Sequence, residues 1–471
     1  MKKTIYLTAM LFALLINSCG PSAKDIYQEG KVHYNNKEYD KALECYTKAK
    51  EQGYDSAYSA IAGLYYNGLG VEKNYEKAFE YAQTANNKNA GGNYLLGLMY
   101  YYGRGVVKNQ SKALEYFKKI EDKSPSASYY IGLIYYKGED VPKNYGTAFE
   151  YFKKAEEKGV PGGTYRLGCM YYNGYGVDKN YTKAFDYFQK AEEKGASGSS
   201  MYLGLMYYYG EGVETNDTKA LEYFKKADEQ TYKLASYYLG NMYMFGYGVN
   251  KDSQKAFTYL NKSAGFEHPY AQYLVGCSYY LGDGVEKNYT KAYEYFKKAY
   301  DKDIQNAQYY LGRMYYFGHG VNKNYGTAFK LLKPLADKND SDAQYFVGLM
   351  YYYGDGVVQN YSSAIHYFQE AANNNDLDGI LMLGICYYDG CGVVKNTDLG
   401  KQYLKNAADQ GNKYAAEILD DIVTNERIGK TFNAIDKVAP YIPFFGIGWK
   451  LGKAGVEAVG AIVDAIGSFS D

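Results

Sequence analysis

The chain of 471 residues carries one tryptophan, eight prolines, four histidines and six cysteines. Each scarcity removes a class of explanation. His33, His268, His319 and His366 fall in different segments, which supplies no histidine pair for a metal or a proton relay. One cysteine sits near the N-terminus, and the other five are an odd set that builds no full disulfide framework. Net charge is absent too: Lys+Arg and Asp+Glu both number 53. Nothing in that balance favours nucleic acid, and no nucleic-acid partner is expected. No nucleophile–base constellation stands out. The chain is therefore read as a non-enzyme, with no catalytic residue, no metal ligand set and no cofactor expected.

What the chain has in excess is glycine, 52 residues, and tyrosine, 63 residues. Both are periodic. A Gly-x-Gly-Val turn recurs at Gly68–Val71, Gly103–Val106, Gly174–Val177, Gly210–Val213, Gly246–Val249, Gly282–Val285, Gly318–Val321, Gly354–Val357 and Gly390–Val393, and a further copy, Gly138–Val141, has Asp140 in place of the second glycine. A fixed period of 35 to 36 residues between first glycines marks a repeat array. No strand pattern precedes these turns, so they are not phosphate-binding loops.

After each turn stands Asn or Asp, from Asn74 to Asn396. Such side chains suit a helix N-cap. An amphipathic stretch follows, here termed helix B. In Asn144–Glu156 its apolar face is Tyr145, Ala148, Phe149 and Phe152. Glu150 and Lys154 stand in the favourable i,i+4 order. Helix A precedes the turn. Ala127, Tyr130, Ile131, Ile134 and Tyr135 form one apolar stripe, and Tyr129, Gly132, Leu133 and Tyr136 form a second on the opposite side. A helix apolar on two sides must be covered twice, by its own helix B and by a neighbouring repeat. Glycine inside helix A, at 63, 97, 132, 168, 204, 240, 276, 312, 348 and 384, costs about 1 kcal/mol against alanine. Its recurrence predicts a helix contact too close for a side chain.

The pattern A-x-Y-x-L-G-x-M-Y-Y-x-G-x-G-V-x-K-N-Y-x-K-A-x-E-Y-F-K-K-A resembles the Sel-1-like repeat family, relatives of the tetratricopeptide repeats, over residues 25–424. The resemblance implies an all-α fold: a right-handed α/α superhelical solenoid of about ten to eleven antiparallel helix pairs. It also implies a scaffold or adaptor that binds protein or peptide partners; a cell-envelope enzyme with an unrecognised site, and a membrane-active protein acting through its C-terminal segment, are the competing readings. Asp140, and Gly400 in place of the small alanine of helix B, depart from the pattern and put the geometry of their two units in question. Residues 25–50 read as a first helix pair without the glycine turn, and Tyr414–Val423 as a lone closing helix A.

The ends differ in kind. Lys2 and Lys3, then the apolar Ile5–Ile16, then Ile16-Asn17-Ser18-Cys19 resemble a bacterial lipoprotein signal over residues 1–18. That resemblance implies cleavage before Cys19, diacylglycerol on its sulfur, a short tether over 19–24, and a lipid anchor in a bacterial cell envelope, with Gly20 favouring an outer membrane. An ordinary secretory signal with an incidental cysteine is the competing reading. Residues 425–471 lack the repeat. Val438–Phe469 is apolar, glycine-rich and carries Lys450, Lys453, Glu457 and Asp464. It reads as a segment folded back on the array, as a self-association element, or as an interfacial membrane element.

Two surfaces are candidates for partner contact. The residue before the first turn glycine varies freely among repeats, and its aromatics Tyr209, Phe245, Phe317 and Tyr353 are candidate anchors. Partial burial against the turn is the alternative. A polar ladder on helix A, from Asn93 and Ser128 through Gln272, Gln308 and Gln344, is the second. Cys169 and Cys277 share a repeat position and read as buried thiols, as does Cys45. Cys386 and Cys391 are spaced to bridge the end of a helix A to its turn.

Overall fold

The computed structural model describes residues 21–88, 91–196 and 198–427. Among the described residues there are 23 helices and no strand. The chain divides into two compact units, Met1–Thr215 and Asn216–Asp471. The first runs through eleven helices, from Ala23–Asn35 to Ser199–Tyr209. The second runs through twelve, from Asp217–Glu229 to Lys413–Arg427. Within each unit the helices alternate A and B. The first pair is Ala23–Asn35 with Tyr39–Glu51, and the closing helix A is Lys413–Arg427.

The turn chemistry explains the pairing. Helix A ends on a glycine with positive φ, 69° at Gly68 and 77° at Gly246, which a side chain resists. The second glycine has a different task. A Cβ on Gly248 would lie 2.4 Å from the backbone carbon of Asp217, at the start of the preceding helix B. The bare backbone thus seats each turn on the repeat before it. Where Asp140 replaces this glycine, its carboxylate accepts from the backbone N–H of Gln110 at 2.7 Å, and Ser111 donates to its carbonyl at 3.2 Å. The contact is kept by hydrogen bonds instead of close approach. The capping residues behave as their identity requires: Asn144 accepts from the Thr147 N–H at 2.9 Å and Asp252 from the Lys255 N–H at 2.9 Å.

Helix A is covered on two sides. In Pro125–Lys137, Tyr130 stacks on Phe117 of the preceding helix B at 5.1 Å. Tyr129 and Tyr136 contact Phe152 of its own helix B, at 6.0 and 6.3 Å. The interior glycines face the buried side chain of their own helix B. A Cβ on Gly97, Gly132, Gly168, Gly276 or Gly348 would lie within 2.8 Å of the phenylalanine ring opposite it; on Gly240 and Gly312 it would lie 2.5 and 2.6 Å from the leucine Cγ opposite. Gly63 breaks the rule, because nothing lies within 4 Å of its Cβ position. The packing position of that repeat is Ala62, buried beside Ala82, which stands where other repeats place Phe or Leu. The glycine–aromatic pair has become an alanine–alanine pair of intermediate shape. Gly400 also tightens its repeat: a Cβ there would meet the Tyr388 nitrogen at 2.7 Å.

Neighbouring B helices are linked by charge. Lys154 donates to Glu121 of the previous repeat at 2.6 Å, not to Glu150, so the expected i,i+4 pair gives way to one between repeats. Lys190–Glu156 at 3.1 Å and Lys262–Asp228 at 2.7 Å repeat the arrangement within their units. The five described cysteines are free thiols, so Cys386 and Cys391 form no bridge. Cys169, Cys277 and Cys386 are buried, and Cys45 and Cys391 are partly so.

Candidate interaction surface

The four turn-edge aromatics each close a helix A immediately before its left-handed glycine. All four are partly exposed. Phe245 stacks on Tyr247 at 5.6 Å. Phe317 stacks on His319 at 5.4 Å and meets the edge of Phe346 at 5.9 Å. Tyr209 lies against Tyr208, and Tyr353 against Tyr352, both within about 5 Å. One side of Phe245 and of Phe317 is therefore covered by the turn or the next repeat, and one side of Tyr209 and of Tyr353 by the tyrosine before it. The turn does not require the ring: φ of the capping glycine is 69° after Asn67, 65° after Lys137, 77° after Phe245 and 75° after Phe317. Asn, Lys and Phe close the same turn.

The polar ladder is an internal seam, and its reading as a contact surface is corrected. Gln272 is only 5% exposed, and Ser128, Thr164, Ser200 and Ser236 are fully buried. Ser200, Ser236 and Gln344 tie their helix A to the end of the preceding helix B. The Ser200 hydroxyl donates to Glu192 at 2.7 Å, and Gln344 donates to the Ala336 carbonyl at 3.3 Å. Gln308 is partly exposed, but its amide donates to the Leu331 carbonyl at 2.7 Å. These residues were placed by the helical stripe, yet burial depends on how closely the neighbouring helices approach. A stripe cannot reveal that.

Two further features escaped the sequence reading. The residue between the turn glycines reaches back to the second tyrosine of the previous helix A. Arg104 donates to Tyr66 at 2.8 Å, Tyr316 donates to Asp355 at 2.8 Å, and Tyr280 bonds the His319 ring at 3.0 Å. Burial, with Arg313 and Lys287 nearby, lowers the His319 pKa. The second feature is a series of stacked tyrosine pairs between A and B helices: Tyr65–Tyr81, Tyr100–Tyr116, Tyr171–Tyr187, Tyr279–Tyr295 and Tyr351–Tyr367, with centroids 5.6–5.9 Å apart. Lysines lie over these rings, as Lys183 does over Tyr171 at 5.2 Å. The recurring spacing of Tyr135 to Tyr151 was the available signal. A shallow cavity of about 510 Å³ opens beside one such pair, lined by Tyr171, Tyr187, Lys183, Lys190, Asp186 and Glu193. Its charges are of both signs. Cys19 and the 438–469 segment lie outside the described residues.

Helix pairs with one-repeat contacts, glycine-seated turns and a buried polar seam define an all-α repeat solenoid. The Sel1 repeat model matches eleven times, over residues 23–54, 56–89, 90–123, 125–160, 161–195, 199–231, 233–264, 269–304, 305–340, 341–376 and 377–412. The chain belongs to the Sel1-repeat family. Its structure is similar to that of c5321, a protective antigen of uropathogenic Escherichia coli displaying an SLR fold, with a TM-score of 0.65 and 24% identity, covering 87% of this chain and 99% of that one. That likeness is one of fold. A Sel1 repeat protein from Oxalobacter formigenes is also similar, at 26% identity and a TM-score of 0.43, covering 66% of this chain and 90% of that one. No curated protein sequence matches the chain. Repeats of this family typically serve as protein–protein interaction scaffolds and are usually non-catalytic.

Proposed function

We propose that the chain is a lipid-anchored scaffold of a bacterial cell envelope, which holds a protein or peptide partner along the turn edge of its repeats. The observation that carries the reading is the indifference of the turn to the residue before it. Asn67, Lys137 and Asp389 close turns of the same hand as Phe245 and Phe317, with φ between 65° and 86°. The turn therefore leaves the choice of an aromatic at that edge to serve contact, and half-covered rings are the side chains that anchor interfaces. Anchoring rests on the lipobox-like Ile16–Cys19. No helix among the described residues is long and apolar enough to cross a membrane.

The test begins with Cys19→Ala expressed in the native host. Release from the membrane fraction, with loss of acyl mass on the mature N-terminus, supports the anchor. Unchanged partitioning removes it. Cross-linking the wild-type chain in native membranes then supplies the partner whose affinity the aromatic variants must change.

A further inference from the structure

We propose that Glu29, His33 and Cys45 form a binding site for one zinc-class divalent ion, which clips the first helix pair together. One ligand atom from each residue lies within 4.8 Å of the other two. Glu29 and His33 are one turn apart on Ala23–Asn35, with Glu29 Oε1 3.9 Å from His33 Nε2. Cys45 projects from Tyr39–Glu51. It can approach because Gly30 faces it: a Cβ on Gly30 would lie 3.0 Å from the Cys45 Cβ and 2.7 Å from the Tyr46 ring. The glycine closes the two helices, and the three donors converge as a consequence.

A second observation orients the imidazole. His33 Nδ1 is 2.6 Å from Glu38 Oε2. The carboxylate only accepts, so Nδ1 carries the proton and Nε2, 3.9 Å from Glu29 Oε1, is the nitrogen left to bind. Glu38 is itself held by Lys41, which donates to its other oxygen at 3.1 Å. A histidine fixed through its far nitrogen by a carboxylate is the outer-shell arrangement that metal-binding imidazoles use. The donor set of thiolate, imidazole and carboxylate suits Zn²⁺ and its neighbours over Ca²⁺ or Mg²⁺, which prefer oxygen alone. Bonds of about 2.0–2.3 Å set donors about 3.3–3.8 Å apart in a tetrahedron. Rotation of the exposed Glu29 arm, together with small side-chain shifts, closes the remaining ångström. Cys45 binds as thiolate, so its proton passes to solvent as the ion enters. Three protein donors leave a fourth position for water. A search for histidine pairs does not reach this group, because the partners of His33 are a carboxylate one turn away and a thiol on the next helix.

Cobalt(II) serves as the probe, titrated into the reduced, metal-free full chain. The expected result is one equivalent bound with a thiolate-to-cobalt charge-transfer band. Cys45→Ser removes that band. Glu29→Gln alters only an exposed carboxylate and weakens binding by at least about tenfold, and Glu38→Gln weakens it about 10–100-fold with the band retained. Circular dichroism of the metal-free variants checks that the helices persist. No thiolate band at one equivalent overturns the proposal. So does a band that survives Cys45→Ser, or binding that Glu29→Gln leaves unchanged.

Discussion

Gly132→Ala should destabilise the intact chain, and the same substitution should stabilise a chain that carries Phe152→Ala. A methyl group at 132 would lie 2.7 Å from both Cδ1 and Cε1 of Phe152 and 3.3 Å from its Cγ. The ring is fully buried, so it cannot swing aside into solvent. Overpacking of this kind costs about 1–3 kcal/mol. Alanine returns about 1 kcal/mol in helix propensity. The expected balance is a net loss of about 1 kcal/mol. Phe152→Ala alone leaves a cavity and costs about 3–5 kcal/mol. In that background the three nearest contacts of the methyl group are gone, and the propensity gain of about 1 kcal/mol stands alone. The sign reverses, with a coupling of about 2 kcal/mol. The chain already contains the compensated form, in Ala62 and Ala82, both fully buried. Amide hydrogen exchange along Pro125–Lys137 is the assay, since a repeat array opens locally before it melts. Stabilisation of the intact chain by Gly132→Ala would refute the reasoning, as would equal effects in the two backgrounds.

Other positions give distinct outcomes. Asn288→Ala removes the acceptor of the Lys291 N–H at 2.9 Å, and should cost about 1 kcal/mol, read as faster exchange in the first turn of Tyr289–Tyr300. Gly248→Ala should cost more than Asn288→Ala in a urea titration, because the residue has φ +65° and its Cβ would press on the Asp217 backbone, which cannot rotate away as a side chain can. His268 is half-buried at a helix N-cap, where Nδ1 accepts from the Ala271 N–H at 3.2 Å, and desolvation of its ring lowers its pKa from 6.5 to about 4. The folded state thus binds this proton less well than the unfolded one. The stability is fully present above about pH 6.5 and is lost as pH falls through 4, up to about 3 kcal/mol. His268→Asn, which keeps a capping acceptor, should flatten this part of the pH profile of the thermal midpoint; an unchanged profile counts against it.

The repeat, its capping residues and the close glycine contact were legible because each is a local rule stated many times over. The same repetition misplaced Gly63. Its repeat has one residue fewer between glycines, and the packing position is Ala62, as the shared burial with Ala82 shows. Single-helix patterns also misjudged the ladder at Gln272, which is only 5% exposed once neighbouring helices pack around it. Lys154 illustrates the same limit, choosing Glu121 one repeat away over Glu150 one turn away. Asp140 could not be judged from its φ preference alone, because its compensation is a hydrogen bond to Gln110. The four aromatic candidates were legible as variable positions, and their half-covered state depends on neighbours such as Phe346.

The most direct measurement is partner affinity beside thermal midpoint for Phe245→Ala and Phe317→Ala. The two residues are two repeats apart in the second unit and close turns of equal geometry, with φ 77° and 75° at the following glycines. The account predicts that each variant loses at least about 2 kcal/mol of binding, roughly thirtyfold in affinity, while the midpoint hardly moves. Unchanged affinity with a lowered midpoint would contradict it, because the rings would then be packing residues of the turn.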